Sequence, residues 1–316
     1  MRILRFLILA AATAALAGNV LAQSGAARPI RLIIPLPAGS AIDVSSRVLA
    51  ARMATELGQP IIVENKAGGN GIIGIQEVVR AAPDGRTLLM GSSSPLSINV
   101  ALTKNLPYDP RRDLTAIAGF NFSNHALMVK SSSPVRTLQD FIALAKQKEL
   151  SVGYSTSLVQ MQIAALAKAG LKLLPVPYKG TPPTITDVIG GTLDATMLST
   201  GDAVSQVNSG QMRGLAVASL KRNPLVPDWP AISETLPGFD FGAWVALVGP
   251  PGMAPDVVKR LNTAMNAALK HKETADQLIQ TGFVPWFMSP EELKAYIEAD
   301  IPKWVQRAAE AGIKPE

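Results

Sequence analysis

Between Arg31 and Asp43 the chain runs Arg31-Leu32-Ile33-Ile34-Pro35-Leu36-Pro37-Ala38-Gly39-Ser40-Ala41-Ile42-Asp43. No other stretch limits the fold so strongly. Leu32 to Ile34 is a short apolar run of strand-forming residues. Pro35 and Pro37 cannot both sit inside a central ladder, so the strand stops there. A helix opens at Ala41 and runs to about Leu57, with Val44, Val48, Leu49, Met53 and Leu57 on one broad face. Gly58 supplies a left-handed stop and Pro60 prevents continuation. A strand that feeds a helix through a Gly-containing loop leaves peptide N–H groups at the sheet edge. With the helix dipole they form a place for an anion. Ser40-x-x-Asp43 also resembles a capping box with Asp in place of Glu, in which case the two residues only satisfy the helix start. Both readings stand, because a capped helix can still present its loop donors.

The same grammar recurs along the chain. Ile61 to Glu64 reads as a second strand, followed by a Gly-rich loop and a helix through Val78 and Ala82. Gly69, Gly71 and Gly74 match G-x-G-x-x-G, but after the second strand and without an acid about 20 residues on, so a cleft-lining loop is preferred to a dinucleotide site. Thr87 to Met90 is a third strand and delivers Ser92, Ser93 and Ser94, either a ligand loop at a carboxyl end or a solvated turn. Strands alternating with helices predict a mainly parallel sheet. Residues 114–122 and 126–129 read as strands, and residues 138–147 as a helix. A second unit then opens with Ser151 to Tyr154 as a strand, Ser155-Thr156-Ser157 as a polar loop, and a helix ending near Gly170. Ala195 to Leu198 and Leu215 to Ala218 are further strands, the first leading into Ser199-Thr200-Gly201-Asp202. Residues 224–237 are Pro-rich and read as a surface connection. Trp244 to Val248 is a strand, Pro255 opens a helix, and Ser289-Pro290-Glu291-Glu292 opens the last one. Pro302 is expected to kink or divide that helix.

Composition narrows the function. Arg2 and Arg5 precede the apolar stretch Phe6 to Ala17, and Val20-Leu21-Ala22 suits a signal peptidase. Residues 1–22 therefore read as a secretory signal peptide cut after Ala22, which points to the periplasm. Its loss lowers the net charge from +6 to +4, a modest excess that suits small anions. No Lys/Arg run or basic-aromatic cluster points to nucleic acid. Cysteine is absent, so thiol chemistry, disulfides and Cys-based metal sites are ruled out. The two histidines, His125 beside a strand and His271 in a solvated Lys-His-Lys, make a catalytic metal centre a poor reading. An exported hydrolase acting on a small acid or ester is the main alternative to a binding protein. Neither G-x-S-x-G nor S-x-x-K occurs, although partners in space stay open.

Several phrases in order carry a family resemblance. They are the 35–43 stretch, Leu57-Gly58-Gln59-Pro60-Ile61-Ile62-Val63-Glu64-Asn65, Ala81-Ala82-Pro83-Asp84-Gly85, Leu106-Pro107-Tyr108-Asp109-Pro110, Val176-Pro177-Tyr178-Lys179-Gly180, Gly210-Gln211-Met212-Arg213-Gly214-Leu215-Ala216-Val217, and Ala311-Gly312-Ile313-Lys314. Over nearly the whole mature chain the sequence resembles the substrate-binding proteins of tripartite tricarboxylate transporters, the Bug family.

The resemblance implies an α/β Venus-flytrap fold of two lobes, each a mainly parallel sheet flanked by helices. Lobe 1 is expected from residues 28–127 and 244–316, lobe 2 from 128–243. It implies capture of a small organic anion, without cofactor or metal, by a monomer that serves membrane transporter subunits. It places one ligand carboxylate on the loop at Pro37, Ala38, Gly39, Ser40 and Asp43. Ser92, Ser93, Ser94, Ser155, Thr156, Ser157, Tyr178, Lys179, Gly180, Thr181 and Ser199 would complete the site. Tyr178 could stack on a flat ligand or simply pack. The sequence departs from the family at Ser40, usually Gly, lacks the His often found near Leu158 to Gln162, and lacks the Asp expected at Ser199. These changes suggest a less polar ligand end, as in an aromatic or aliphatic dicarboxylate.

Overall fold

The computed structural model describes residues 28–280 and 282–315, so the expected signal peptide lies outside the described residues. In chain order the elements are β1 (Ile30–Ile34), α1 (Ala41–Leu57), β2 (Ile61–Asn65), α2 (Ile72–Val79), β3 (Thr87–Ser92), α3 (Asn99–Leu102), β4 (Thr115–Ser123), β5 (His125–Lys130), α4 (Leu138–Gln147), β6 (Leu150–Tyr154), α5 (Ser157–Lys168), β7 (Leu173–Pro177), α6 (Thr181–Gly190), β8 (Ala195–Ser199), α7 (Thr200–Asn208), β9 (Met212–Val217), β10 (Ala243–Gly249), α8 (Pro255–Lys270), α9 (Lys272–Gln280), β11 (Val284–Pro285) and α10 (Pro290–Glu310). They form two sheets, ordered β11-β4-β10-β3-β1-β2 and β7-β6-β8-β5-β9. The fold is the expected two-lobed α/β arrangement.

Each sheet contains an internal antiparallel strand with one cause. β4 passes straight into β5 through Asn124, and residues 218–242 bring the chain back to β10. A strand arriving from the other lobe enters at the edge that faces that lobe and must run away from it. β5 is accordingly antiparallel to β8 and β9, and β10 to β3 and β4. The strands that lead into helices run the other way, so β1, β2 and β3 are parallel, as are β6, β7 and β8. All their carboxyl ends point at the space between the lobes.

Both faces of the central strands are buried, which is why β1, β3, β8 and β10 read as near-continuous apolar runs. Leu88 and Met90 face Leu49, Met53 and Met265 on one side, while Leu89 faces Ile75, Val78 and Leu293 on the other. Each such large side chain contributes roughly 1.5–3 kcal/mol on burial. In the second lobe Leu138, Phe141 and Leu166 cover one face, and Val188 and Ala203 the other. β7 carries Pro175 and Pro177 and sits at the sheet edge, where a missing N–H costs least.

Three local expectations change. The sheets switch at Asn124, slightly before the expected boundary at residue 127, and Trp304 and Ala308 of α10 pack in the second-lobe core. Helix α10 therefore braces both lobes. Pro302 does not divide it: Pro302 and Glu298, whose carbonyl loses its donor, are both exposed, so water can serve that carbonyl. Residues 224–237 are less superficial than expected, since Ala231 and Ile232 are fully buried and Ala231 bridges to Val217.

Asp300 pins this brace. Its Oδ2 accepts from Ser97 Oγ (2.8 Å), Trp244 Nε1 (3.1 Å) and Trp304 Nε1 (2.8 Å) in a buried setting. Asp300→Ala leaves three buried donors unpaired, so the expected loss is about 3 kcal/mol or more, read as a lower urea midpoint. Asp300→Asn keeps an acceptor oxygen and should lose clearly less. Equal midpoints for wild type and Asp300→Ala would show that the brace carries no stability.

Candidate functional site

The carboxyl ends of five strands surround a cavity of about 620 Å³ between the lobes. β1 contributes Pro35, Leu36 and Pro37; β2 leads into Ala67 to Gly71; β3 brings Ser92, Ser94 and Pro95. From the second lobe β6 supplies Ser155 and Thr156, and β7 supplies Tyr178 and Lys179. The walls combine prolines and Ile73 with hydroxyls and peptide groups. Among the described residues, Lys179 is the only charged side chain in the lining, and no carboxylate faces in.

The loop after β1 is held by its own side chains. Gly39 N–H donates to Asp43 Oδ2 (2.9 Å), and Asp43 N–H donates to Ser40 Oγ (3.3 Å). Asp43 Oδ1 also accepts from Arg47 Nε (3.0 Å) and Asn65 Nδ2 (3.0 Å). Burial alone would raise the Asp43 pKa, but the Gly39 amide, Arg47 and Asn65 outweigh it and hold it below the ordinary value. Capping is therefore real at this helix start. Pro37 lines the cavity, Ala38 is exposed, and Gly39 and Ser40 face a second interlobe space of about 540 Å³ together with Thr181. The lobes touch at Gly180, where a Cβ would lie 2.6 Å from Pro37 Cγ of the other lobe.

The serines divide in the same way. The Ser-rich segment after β3 is no solvated turn, since Ser93 and Ser94 are buried and a wide turn runs over Ser94–Ile98. Ser94 Oγ accepts the Leu158 N–H (3.2 Å), and Ser157 Oγ donates to Asn99 Oδ1 (2.5 Å), so both tie the 94–99 segment to the start of α5. Ser93 Oγ is buried with no partner among the described residues. Thr156 Oγ1 caps α5 through Val159 N–H (3.4 Å), and Ser155 Oγ lies 3.4 Å from Thr181 Oγ1. Tyr178 borders the cavity and also packs against the Val188 cluster, and its hydroxyl donates to Asp187 Oδ2 (2.5 Å). Ser199 faces away from the first cavity; it caps α7 and donates to Asp202 Oδ2 (2.8 Å).

Position 199 is Ser, as the sequence has it, and the acid that follows β8 is Asp202. It stands in the first turn of α7 and borders the second space. The spacing Ser199-x-x-Asp202 repeats Ser40-x-x-Asp43, and in both the serine caps the helix. Pro35, Leu36, Ile73 and Pro95 are cavity residues that chemical reasoning passes over, because apolar side chains announce no chemistry.

Neither histidine lines the cavity. His125 Nδ1 meets Gln162 Oε1 (3.2 Å), and burial lowers its pKa to about 4 despite that bond. His271 is half-buried rather than solvated, with Nδ1 unpartnered among the described residues. No group of three His, Cys, Asp or Glu among the described residues is placed to hold a metal ion. No helix among them is long and apolar enough to cross a membrane.

Known proteins resemble this geometry closely. Residues 45–312 match the tripartite tricarboxylate transporter family receptor. Protein BugT of Bordetella pertussis is 31% identical over 310 residues, covering 96% of this chain and 95% of the relative. The periplasmic binding protein BugD superposes with a TM-score of 0.87 at 29% identity, covering 92% of this chain and 99% of the other. An R. palustris protein solved with adipate gives 0.88 at 28% identity, covering 92% and 99%. MatC from Rhodopseudomonas palustris, solved with malate, gives 0.83 at 28%, covering 89% and 98%. The chain thus belongs to the tripartite tricarboxylate transporter receptors, the Bug-type periplasmic solute-binding proteins.

Proposed function

We propose that the protein captures a small organic carboxylate in the interlobe cavity and presents it, as a monomer, to membrane subunits of a tripartite tricarboxylate-type transporter. The observation that carries this reading is the lining: strand-end peptide groups and hydroxyls, a lysine at the mouth, and no carboxylate among the described residues. Peptide N–H groups at a preformed loop bind an acid group without an arginine, and excluding water strengthens those bonds. Pro35, Leu36, Pro37, Ile73 and Pro95 would pack along a hydrocarbon stem. An aliphatic or aromatic dicarboxylate suits that mix better than a polar amino acid. The adipate and malate seen in related structures support the class. In this reading Tyr178 offers its ring, because its hydroxyl is engaged by Asp187.

Calorimetry on unfolded, refolded and therefore ligand-free protein tests the proposal with adipate, malate, phthalate, tricarboxylates and aspartate. Saturable heat with a dicarboxylate, none with its diamide, and no turnover are expected. Aspartate binding with no response to adipate or phthalate, or a flat response to every acid from folded protein, would overturn it.

Asp43 gives a second test. Asp43→Ala removes the acceptor shared by Gly39, Arg47 and Asn65, so the loop loses its shape. Affinity for the acid found above should fall about tenfold or more. The support from Asp43 is present above its ordinary pKa and fades as pH falls through its lower folded value. Unchanged affinity in a folded Asp43→Ala protein removes this residue from the site.

A further inference from the structure

The amino ends of β2, β1 and β3 lie at the edge of the first-lobe sheet that points away from the cleft, and positive charge collects there. Arg28 precedes β1, Asp84 to Arg86 form the turn before β3, and Arg260 stands on α8. Together they line a crevice of about 250 Å³. That is below the roughly 300–1,000 Å³ of pockets that take drug-sized molecules, so the crevice suits a small ion. Three guanidiniums against the one carboxylate of Asp84 leave an excess of two positive charges in the lining.

The crevice is held by contacts that do not neutralise this charge. Gln59 clamps two of its walls: Nε2 donates to Arg28 O (2.6 Å), and Oε1 accepts from Arg260 Nη2 (2.7 Å). The turn before β3 is pressed onto α8 at Gly85, where φ is +78° and a Cβ would lie 2.7 Å from Val257 Cγ1. Asp84 Oδ1 accepts the Arg86 N–H (2.9 Å), and its Oδ2 stands 3.8 Å from Arg86 Nε, a loose pair within one turn. Arg28 and Arg260 make no ion pair among the described residues. Asp256 lines the next hollow along α8 and not this one.

We propose that this crevice is a binding site for a phosphate-type dianion, separate from the cleft. Guanidiniums grip such oxygens through paired N–H donors. Here they arrive from a strand start, a turn and a helix. A tetrahedral anion offers oxygens in all three directions, and a planar carboxylate does not. The excess of two charges matches a dianion, whose binding relieves the mutual repulsion of the arginines. Free phosphate and the phosphate of a lipid headgroup share this chemistry.

Binding is read by NMR on the arginine Nε–Hε resonances, in chloride buffer at constant ionic strength. No carboxylic acid is added, so failure of acid capture in the cleft leaves the result untouched. Inorganic phosphate should shift the Arg28, Arg86 and Arg260 resonances saturably, with a Kd of about 1 mM or tighter. Arg260→Gln should weaken binding about tenfold while keeping its melting temperature, and Arg28→Gln, in a different segment, should do the same. No saturation below about 20 mM phosphate, the same shifts from chloride alone, or full affinity in both variants overturns the proposal. Once saturation is established, vesicles of phosphatidylglycerol separate the two sources. Retention that free phosphate releases assigns the site to a headgroup, and no retention assigns it to the free ion.

Discussion

Chain direction governs this architecture. A strand that must hand over to a helix ends at the carboxyl edge of its sheet. A strand that has just crossed from the other lobe begins there. Because the chain crosses at Asn124 and again through residues 218–242, the two carboxyl edges are forced to face each other. The cleft is therefore a product of connectivity before any side chain is chosen. Loops at such an edge carry backbone groups that no ladder satisfies, and five of the six that the two sheets supply line the cavity.

The recognition chemistry follows from that placement. A cavity built from strand-end peptides, hydroxyls and prolines has little charge of its own, so it suits a ligand that brings the charge. Lys179 at the mouth adds attraction without a fixed bidentate grip, unlike an arginine inside the cavity. The loop after β1 is rigid because Asp43 ties it to Arg47 and Asn65, and Asn65 in turn holds the Leu36 carbonyl (3.1 Å). Rigidity lowers the ordering cost of binding, which matters more for a small ligand than one extra contact.

Much of the fold is legible in the sequence because its signals are local. Apolar runs bounded by Pro and Gly mark β1, β3, β8 and β10, and Ser289-Pro290-Glu291-Glu292 fixes the start of α10 to the residue. β7 is harder to read, since Leu173-Leu174-Pro175-Val176-Pro177 looks unlike a strand until the sheet edge excuses its prolines. The brace by α10 cannot be read at all: nothing local says that Trp304 belongs to the other lobe's core. Site residues follow the same divide. Ser92, Ser155, Tyr178 and Lys179 reach the cavity because strand ends place them there. Ser157 and Ser199, of identical chemistry and similar context, turn to a hinge partner and a helix cap. A hydroxyl one residue further along a helix start points elsewhere, and sequence spacing does not resolve that rotation.

Asp43 and Asp202 show why position decides more than residue type. Both sit in the first turn of a helix behind a capping serine, and both lie near the start of α1. Asp43 is met by a peptide N–H, a guanidinium and an amide, so its charge is stabilised despite burial. Asp202 is met by a hydroxyl and a more distant N–H, and desolvation wins. The first acid is therefore a fixed structural anion at neutral pH. The second has its pKa raised to about 6 by burial, and it borders the second space between the lobes.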